Sequence, residues 1–201
     1  MSGAPTIHTP TRPSTSDRAS AGRAVRRQVR RSTLGDWTPS ADRDPLGLLD
    51  AQETLRVPDL IPLRHERMAV SPFTFFRGAA AIFAADMAAL PRTGLGVQLC
   101  GDAHLANFGA FASPERTLVF DINDFDETLP GPFEWDVKRL AASFEVAGRS
   151  NGFDEGDRQA TQFALASAYA AAMAEFAGMH HLDLWYRTLG VDDILERWGD
   201  E

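Results

Sequence analysis

Three side chains, Asp102, Asn107 and Asp124, stand where this sequence could do chemistry. The apolar run Val97-Gln98-Leu99-Cys100 has the β-branched, alternating character of a strand and breaks at Gly101-Asp102, which puts Asp102 at a strand's mouth. Asn107 follows five positions later, in a segment closed by Gly109. A second apolar run, Thr117-Leu118-Val119-Phe120, delivers Asp121-Ile122-Asn123-Asp124-Phe125-Asp126-Glu127. Two strand ends therefore aim acidic loops at one place. Phosphoryl transfer uses such an arrangement, because a carboxylate must accept or orient a hydroxyl proton while hard oxygen ligands hold Mg²⁺ against phosphate oxygens. Asp102 suits the first role, and Asn107 and Asp124 suit the second. Asp121, Asp124, Asp126 and Glu127 cannot all bind one ion, so some are expected to cap backbone amides or to answer Arg116 and Arg139.

His104 lies between Asp102 and Asn107 and could be a metal ligand, a proton shuttle or a brace for the loop. No second histidine stands nearby, and His180-His181 belong to another segment, so a zinc site has little support and the brace is preferred. Arg77, between two apolar segments, is expected to be shielded. A shielded arginine needs an anion, either a carboxylate such as Asp86 or the acidic loops and a phosphate; the pair with Asp86 is preferred. Gly94-Leu95-Gly96 lacks a third glycine at the required place and leads into a strand, and no Gly-Lys-Ser/Thr occurs anywhere, so neither common phosphate loop is present.

The elements that must position these residues can be read in order. Asp44 and Pro45 start a helix with Leu48, Ala51 and Leu55 on one face, stopped by Pro58. A short helix over 60–68 carries Arg64, His65, Glu66 and Arg67, expected mostly to face water and to make ion pairs. Residues 71–78 alternate aromatics like a strand, 79–90 form a buried helix, and 136–149 form an amphipathic one. An Ala-rich helix over 159–179 places Phe163, Ala166, Ala170 and Met173 at core spacing, and 191–198 is a short amphipathic helix.

Composition sets the outer limits. At 201 residues and 44% apolar content the chain supports one good core. Seven arginines and one acid make residues 1–35 a +6 arm, so the overall charge of −8 leaves −14 on the remainder. That arm could touch nucleic acid or acidic lipid, but its Ser, Thr, Pro and Gly content favours a disordered, solvated tail, with neither nucleic acid nor membrane as the expected partner. Lys138 is the one lysine. No apolar run reaches membrane-spanning length, no hydrophobic segment follows the N-terminal arginines, and Cys100 is a lone cysteine, which together fit a cytoplasmic bacterial protein.

Gly101-Asp102, followed by four residues and Asn107, resembles the catalytic loop of aminoglycoside phosphotransferases within the protein-kinase-like fold. Asp124-Phe125-Asp126 resembles the kinase metal-binding D-F-G with Asp for Gly, and Trp135-Asp136-Val137 is similar to the segment whose buried Asp steadies that loop. The spacing from Asp124 to Asp136 ranks Asp124 above Asp121 as the metal ligand. More closely, LIPLRHERM at 60–68, SPFTFFRGAAAIFAADMA at 71–88, VQLCGDAHLANFGAFASPER at 97–116 and LVFDINDFDETLPGPFEWDVKRLAAS at 118–143 resemble the bacterial family called domain of unknown function 2252.

The resemblance implies an α+β, mostly helical domain over 36–201, like the catalytic lobe of a kinase with the nucleotide lobe absent. In that family the glycine-rich and lysine-bearing segments follow the catalytic loop, so this chain resembles the N-terminal half of a usual member, whether from a split gene, a truncated reading frame or an intrinsically short member. It implies Mg²⁺ and ATP as cofactors, a hydroxyl-bearing acceptor and, for a partial domain, a separately encoded nucleotide lobe as partner. Which residues bind the nucleotide stays open. The alternatives are a non-catalytic pseudokinase or half-domain module completed by a partner, and a metal-dependent phosphoester hydrolase.

Overall fold

The computed structural model describes residues 13–199, an α+β arrangement that is mostly helical. The arm read as solvated tail forms a helix, α1 (Thr15–Gln28), in its described part; the rest of the arm, residues 1–12, lies outside the described residues. Ser14 and Asp17 close a reciprocal capping box, and Arg26 and Arg27 stand in the last turn, where cations complement the helix dipole. No residue of α1 is buried, and Arg18 donates to the Ala177 carbonyl at 3.0 Å.

Four short helices then build the main apolar cluster. They are α2 (Pro45–Glu53), α3 (Ile61–Met68), α4 (Pro72–Arg77) and α5 (Ala80–Ala88). Asp44 caps α2 as expected, accepting from Gly47 N at 2.9 Å, but the buried face carries Leu49, while Leu55 is exposed. Leu49, Met68, Ala79 and Ile82 meet in one core. Residues 72–77 form a helix where the aromatic alternation predicts a strand. The reason is local: Ser71 and Thr74 make a capping box and Pro72 occupies the first helical position, so the chain enters a helix before the aromatics can pair.

Two antiparallel ribbons follow. β1 (Gly96–Leu99) pairs with β4 (Leu129–Pro132), with Leu99 opposite Leu129. β2 (Phe108–Ala112) pairs with β3 (Leu118–Ile122), with Phe108 opposite Ile122. β1 and β3 are the strands the sequence predicts; β2 and β4 are their partners. Two prolines in β4 are tolerated because a two-stranded ribbon is all edge. Behind the ribbons runs α6 (Glu134–Ser150), whose fully sequestered positions are Glu134, Arg139, Ser143 and Gly148.

The chain closes with α7 (Glu155–Gly178), α8 (His181–Trp185) and α9 (Val191–Trp198). α9 is tied to β3 by Phe120 N donating to Leu189 O at 2.8 Å. The predicted core face of α7 is its outer face: Phe163 is 76% exposed, and Ala166, Ala170 and Met173 are exposed with it. The half-buried stripe includes Leu165, Tyr169, Ala172 and Phe176. In an alanine-rich helix both stripes are apolar at helical spacing, so periodicity alone does not choose between them. Among the described residues no helix is long and apolar enough to cross a membrane.

Candidate active site

β1 ends against the loop that precedes β4, and Gly101 is required there. Its φ is +87°, and a Cβ at this position would stand 1.9 Å from the Glu127 carbonyl oxygen. The backbone just before the turn is held by α6: Asp136 accepts from Cys100 N at 2.8 Å and from Gly101 N at 3.1 Å. Burial raises the Asp136 carboxyl above its ordinary pKa, against the two amide hydrogen bonds and Arg139, which pull it down.

Arg139, one turn further along α6, is 1% exposed. Its Nε donates to Asp102 Oδ1 at 2.6 Å, its Nη2 joins the same oxygen and also donates to the Phe76 carbonyl at 2.9 Å. The guanidinium lies 4.5 Å from the centre of the Phe76 ring and 5.4 Å from that of Phe83. A buried cation is tolerable because a carboxylate, a carbonyl and two aromatic faces surround it. Another turn on, Ser143 accepts from Leu105 N at 2.9 Å and donates to Leu140 O at 2.7 Å. Asp136, Arg139 and Ser143 thus form one polar stripe that cradles residues 100–105.

Asn107 joins the two acidic loops. Its Nδ2 donates to the carbonyls of Asp102 and Asp124, both at 3.0 Å, and its Oδ1 accepts from Asp124 N at 3.0 Å. Asp124 is exposed, and its Oδ1 accepts from Asp126 N at 2.9 Å. Asp121 falls within β3 opposite Gly109, with Oδ1 turned to Ile122 N at 2.7 Å, away from the cleft that Asp102 and Asp124 line. His104 is buried, and its Nε2 is 3.6 Å from Asp102 Oδ2, beyond hydrogen-bond length. The loop is braced instead by the His104 backbone, whose N–H reaches Asp102 O and whose carbonyl receives Asn107 N, both at 2.8 Å. Burial lowers the His104 pKa; Asp102 opposes this, and the charges of Arg139 and Arg77 add to it.

Asp102, His104 and Asp124 line a cleft of about 870 Å³ together with Arg56, Arg64, Arg67 and Arg77. Arg77 is exposed, against the expectation of shielding, and Asp86 pairs with Arg43 at 2.7 Å. Arg64, expected in water, is half-buried and donates to Gly78 O at 2.6 Å. His65 pairs with Glu53, in line with the ion-pair reading. Among the described residues no three His, Cys, Asp or Glu gather closely enough to hold an ion by themselves. The donor set fits Mg²⁺ only in its usual phosphate-bound form, with one or two carboxylates from the protein and the remaining ligands from phosphate and water.

Arg139 as the partner of Asp102, Ser143, and the cleft arginines other than Arg77, which the sequence itself offers as a phosphate contact, are what sequence reasoning missed. The first two had a signal: they stand three and seven positions after Asp136, on one helical face. The arginines had none, because they come together from separate elements.

The chain that carries this site belongs to a family conserved in bacteria and described as uncharacterized. A sequence model described as "Uncharacterized protein conserved in bacteria (DUF2252)" matches residues 56–200, and the chain is a member of that family. No curated protein and no solved structure matches it.

Proposed function

We propose that the protein is a kinase-like phosphotransferase that moves a phosphoryl group from Mg²⁺-bound ATP to a hydroxyl acceptor. The observation that carries this is the convergence of the Asp102 and Asp124 carboxylates on one cleft, with their loops fastened to each other by the Asn107 side chain. Asp102 Oδ1 is occupied by Arg139, so Oδ2 is the atom that receives the acceptor's proton as the new P–O bond forms and the bond to the leaving phosphate breaks. Asp124 presents its carboxylate to the metal, and Asn107 and Asp136 hold the loops. Mg²⁺, when bound, neutralises charge on the phosphate oxygens. Exclusion of misaligned geometry falls to the α6 stripe, which fixes Asp102 before any ligand arrives.

Thermal unfolding of the intact chain tests the reading. Mg²⁺·ATP is expected to raise the midpoint, Asp124→Ala to abolish the rise, and Asp102→Asn to remove turnover while the chain still melts cooperatively, at a lower midpoint because Arg139 loses its carboxylate. A cooperative melt indifferent to Mg²⁺·ATP, or full turnover by Asp102→Asn, would overturn it.

One observation favours a second reading, a half-domain module completed by a partner. Phe163, Trp185 and Tyr186 are 76%, 82% and 75% exposed along α7 and α8, more aromatic surface than a finished domain usually shows to water. That reading expects no turnover by the isolated chain and a stable complex on sedimentation with the missing lobe.

A further inference from the structure

We infer that the cleft carries an oligophosphate-binding wall made of Arg56, Arg64, Arg67 and Arg77. The wall rests on its own geometry; its assignment to the donor or acceptor of phosphoryl transfer rests on the function proposed above. Four guanidiniums line this cavity against two carboxylates, one of which, Asp102, is already neutralised by Arg139. A positive cavity runs against the net −14 carried by residues 36–201, to which it belongs.

The cations are held without being satisfied. Arg64 is tethered through Nη2 to the Gly78 carbonyl, while its Nη1 is buried with no hydrogen-bond partner. Burial and the neighbouring Arg56 charge disfavour its charged form, a cost that a bound anion would remove. Arg67 stands one helical turn along α3 from Arg64, and neither Arg67 nor Arg77 makes an ion pair among the described residues. Arg56 reaches only Glu127, at 3.9 Å. Guanidinium forks match phosphate oxygens two at a time, and four of them around about 870 Å³ suit a chain of phosphates better than a single one. The wall supplies the positive charge that lysine would otherwise bring, since Lys138 does not line the cleft.

Calorimetric titration of the full chain with inorganic tripolyphosphate, without Mg²⁺, is the test. Tripolyphosphate should bind at least about tenfold tighter than sulfate, and the double variant Arg67→Gln/Arg77→Gln should weaken it by about tenfold or more. Both side chains are exposed, so the variant should fold, and its unfolding midpoint verifies that. Equal binding by the folded double variant, or no binding by wild type, overturns the wall. ATP binding tighter than tripolyphosphate assigns the wall to a nucleotide donor; ATP binding no tighter assigns it to another phosphorylated compound, and either supports it. Asp124→Ala removes a carboxylate that repels a polyanion in the same cleft, so it should not weaken tripolyphosphate binding while losing the Mg²⁺·ATP response. Tripolyphosphate binding without any Mg²⁺·ATP response therefore counts against transfer, not against the wall.

Discussion

The two long helices use their sides in opposite ways. α6 sequesters a polar stripe of Asp136, Arg139 and Ser143 and turns every one of those groups onto the 100–105 loop. α7 is longer, 24 residues against 17, yet buries none of them completely and leaves Phe163 and Met173 in solvent. Length and apolar content therefore say little about which helix organises the domain. What distinguishes α6 is that its polar groups find partners that water would otherwise supply, so that helix and loop specify each other's position.

The comparison breaks most sharply at Arg139. Arg139→Met leaves the Asp102 carboxylate without its buried partner and should destabilise the fold by roughly 3 kcal/mol or more, read from urea unfolding. Lysine should not rescue it, because a single ammonium cannot span the carboxylate and the Phe76 carbonyl together. Loss of under about 1 kcal/mol would mean that the stripe is ornamental.

A smaller effect sits at His104. Its pKa is lowered in the folded state from an ordinary 6.5, so as pH falls through that value the unfolded chain takes up a proton that the folded chain resists. Stability contributed by neutral His104 is therefore present above about pH 6.5 and lost below it. His104→Gln should flatten the stability slope between pH 7.5 and 5.5 by up to about one proton relative to wild type, a difference in which the other histidines cancel. An unchanged slope would show that the buried imidazole titrates normally.

The smallest change is expected on α7. Phe163→Ser should alter stability by no more than about 0.5 kcal/mol in chemical unfolding, because the ring has little to lose. A loss of several kcal/mol would show that this face is covered in solution even without a partner.

The acidic half of the site was legible because its signals are local. The apolar run broken by Gly101-Asp102 announces a strand mouth, and Asp124 lies in the acidic stretch that ends the second apolar run, with Asn107 at a spacing that brings the two loops together. Asp121 was misplaced by the extra length of β3, which carries it into the ladder. Of the basic half only Arg77 was legible, and only as the less favoured of two alternatives. Arg64 and Arg67 look like the solvated face of a helix until Arg56 and Arg77 arrive from other elements, and Arg77 loses its expected partner because Arg43, distant in sequence, claims Asp86. The α4 helix was hidden by its aromatics, although Ser71, Pro72 and Thr74 together spell a helix start. For α7, two apolar stripes competed and only tertiary packing chose between them.

Asn107 carries a genetic consequence. One amide grips the backbone on both sides of the cleft, so the two carboxylates do not occupy independently adjustable places. A substitution that shifts either loop is transmitted to the other through residue 107. Changes at 102 and 124 that move the backbone should therefore be non-additive, coupled through this one side chain.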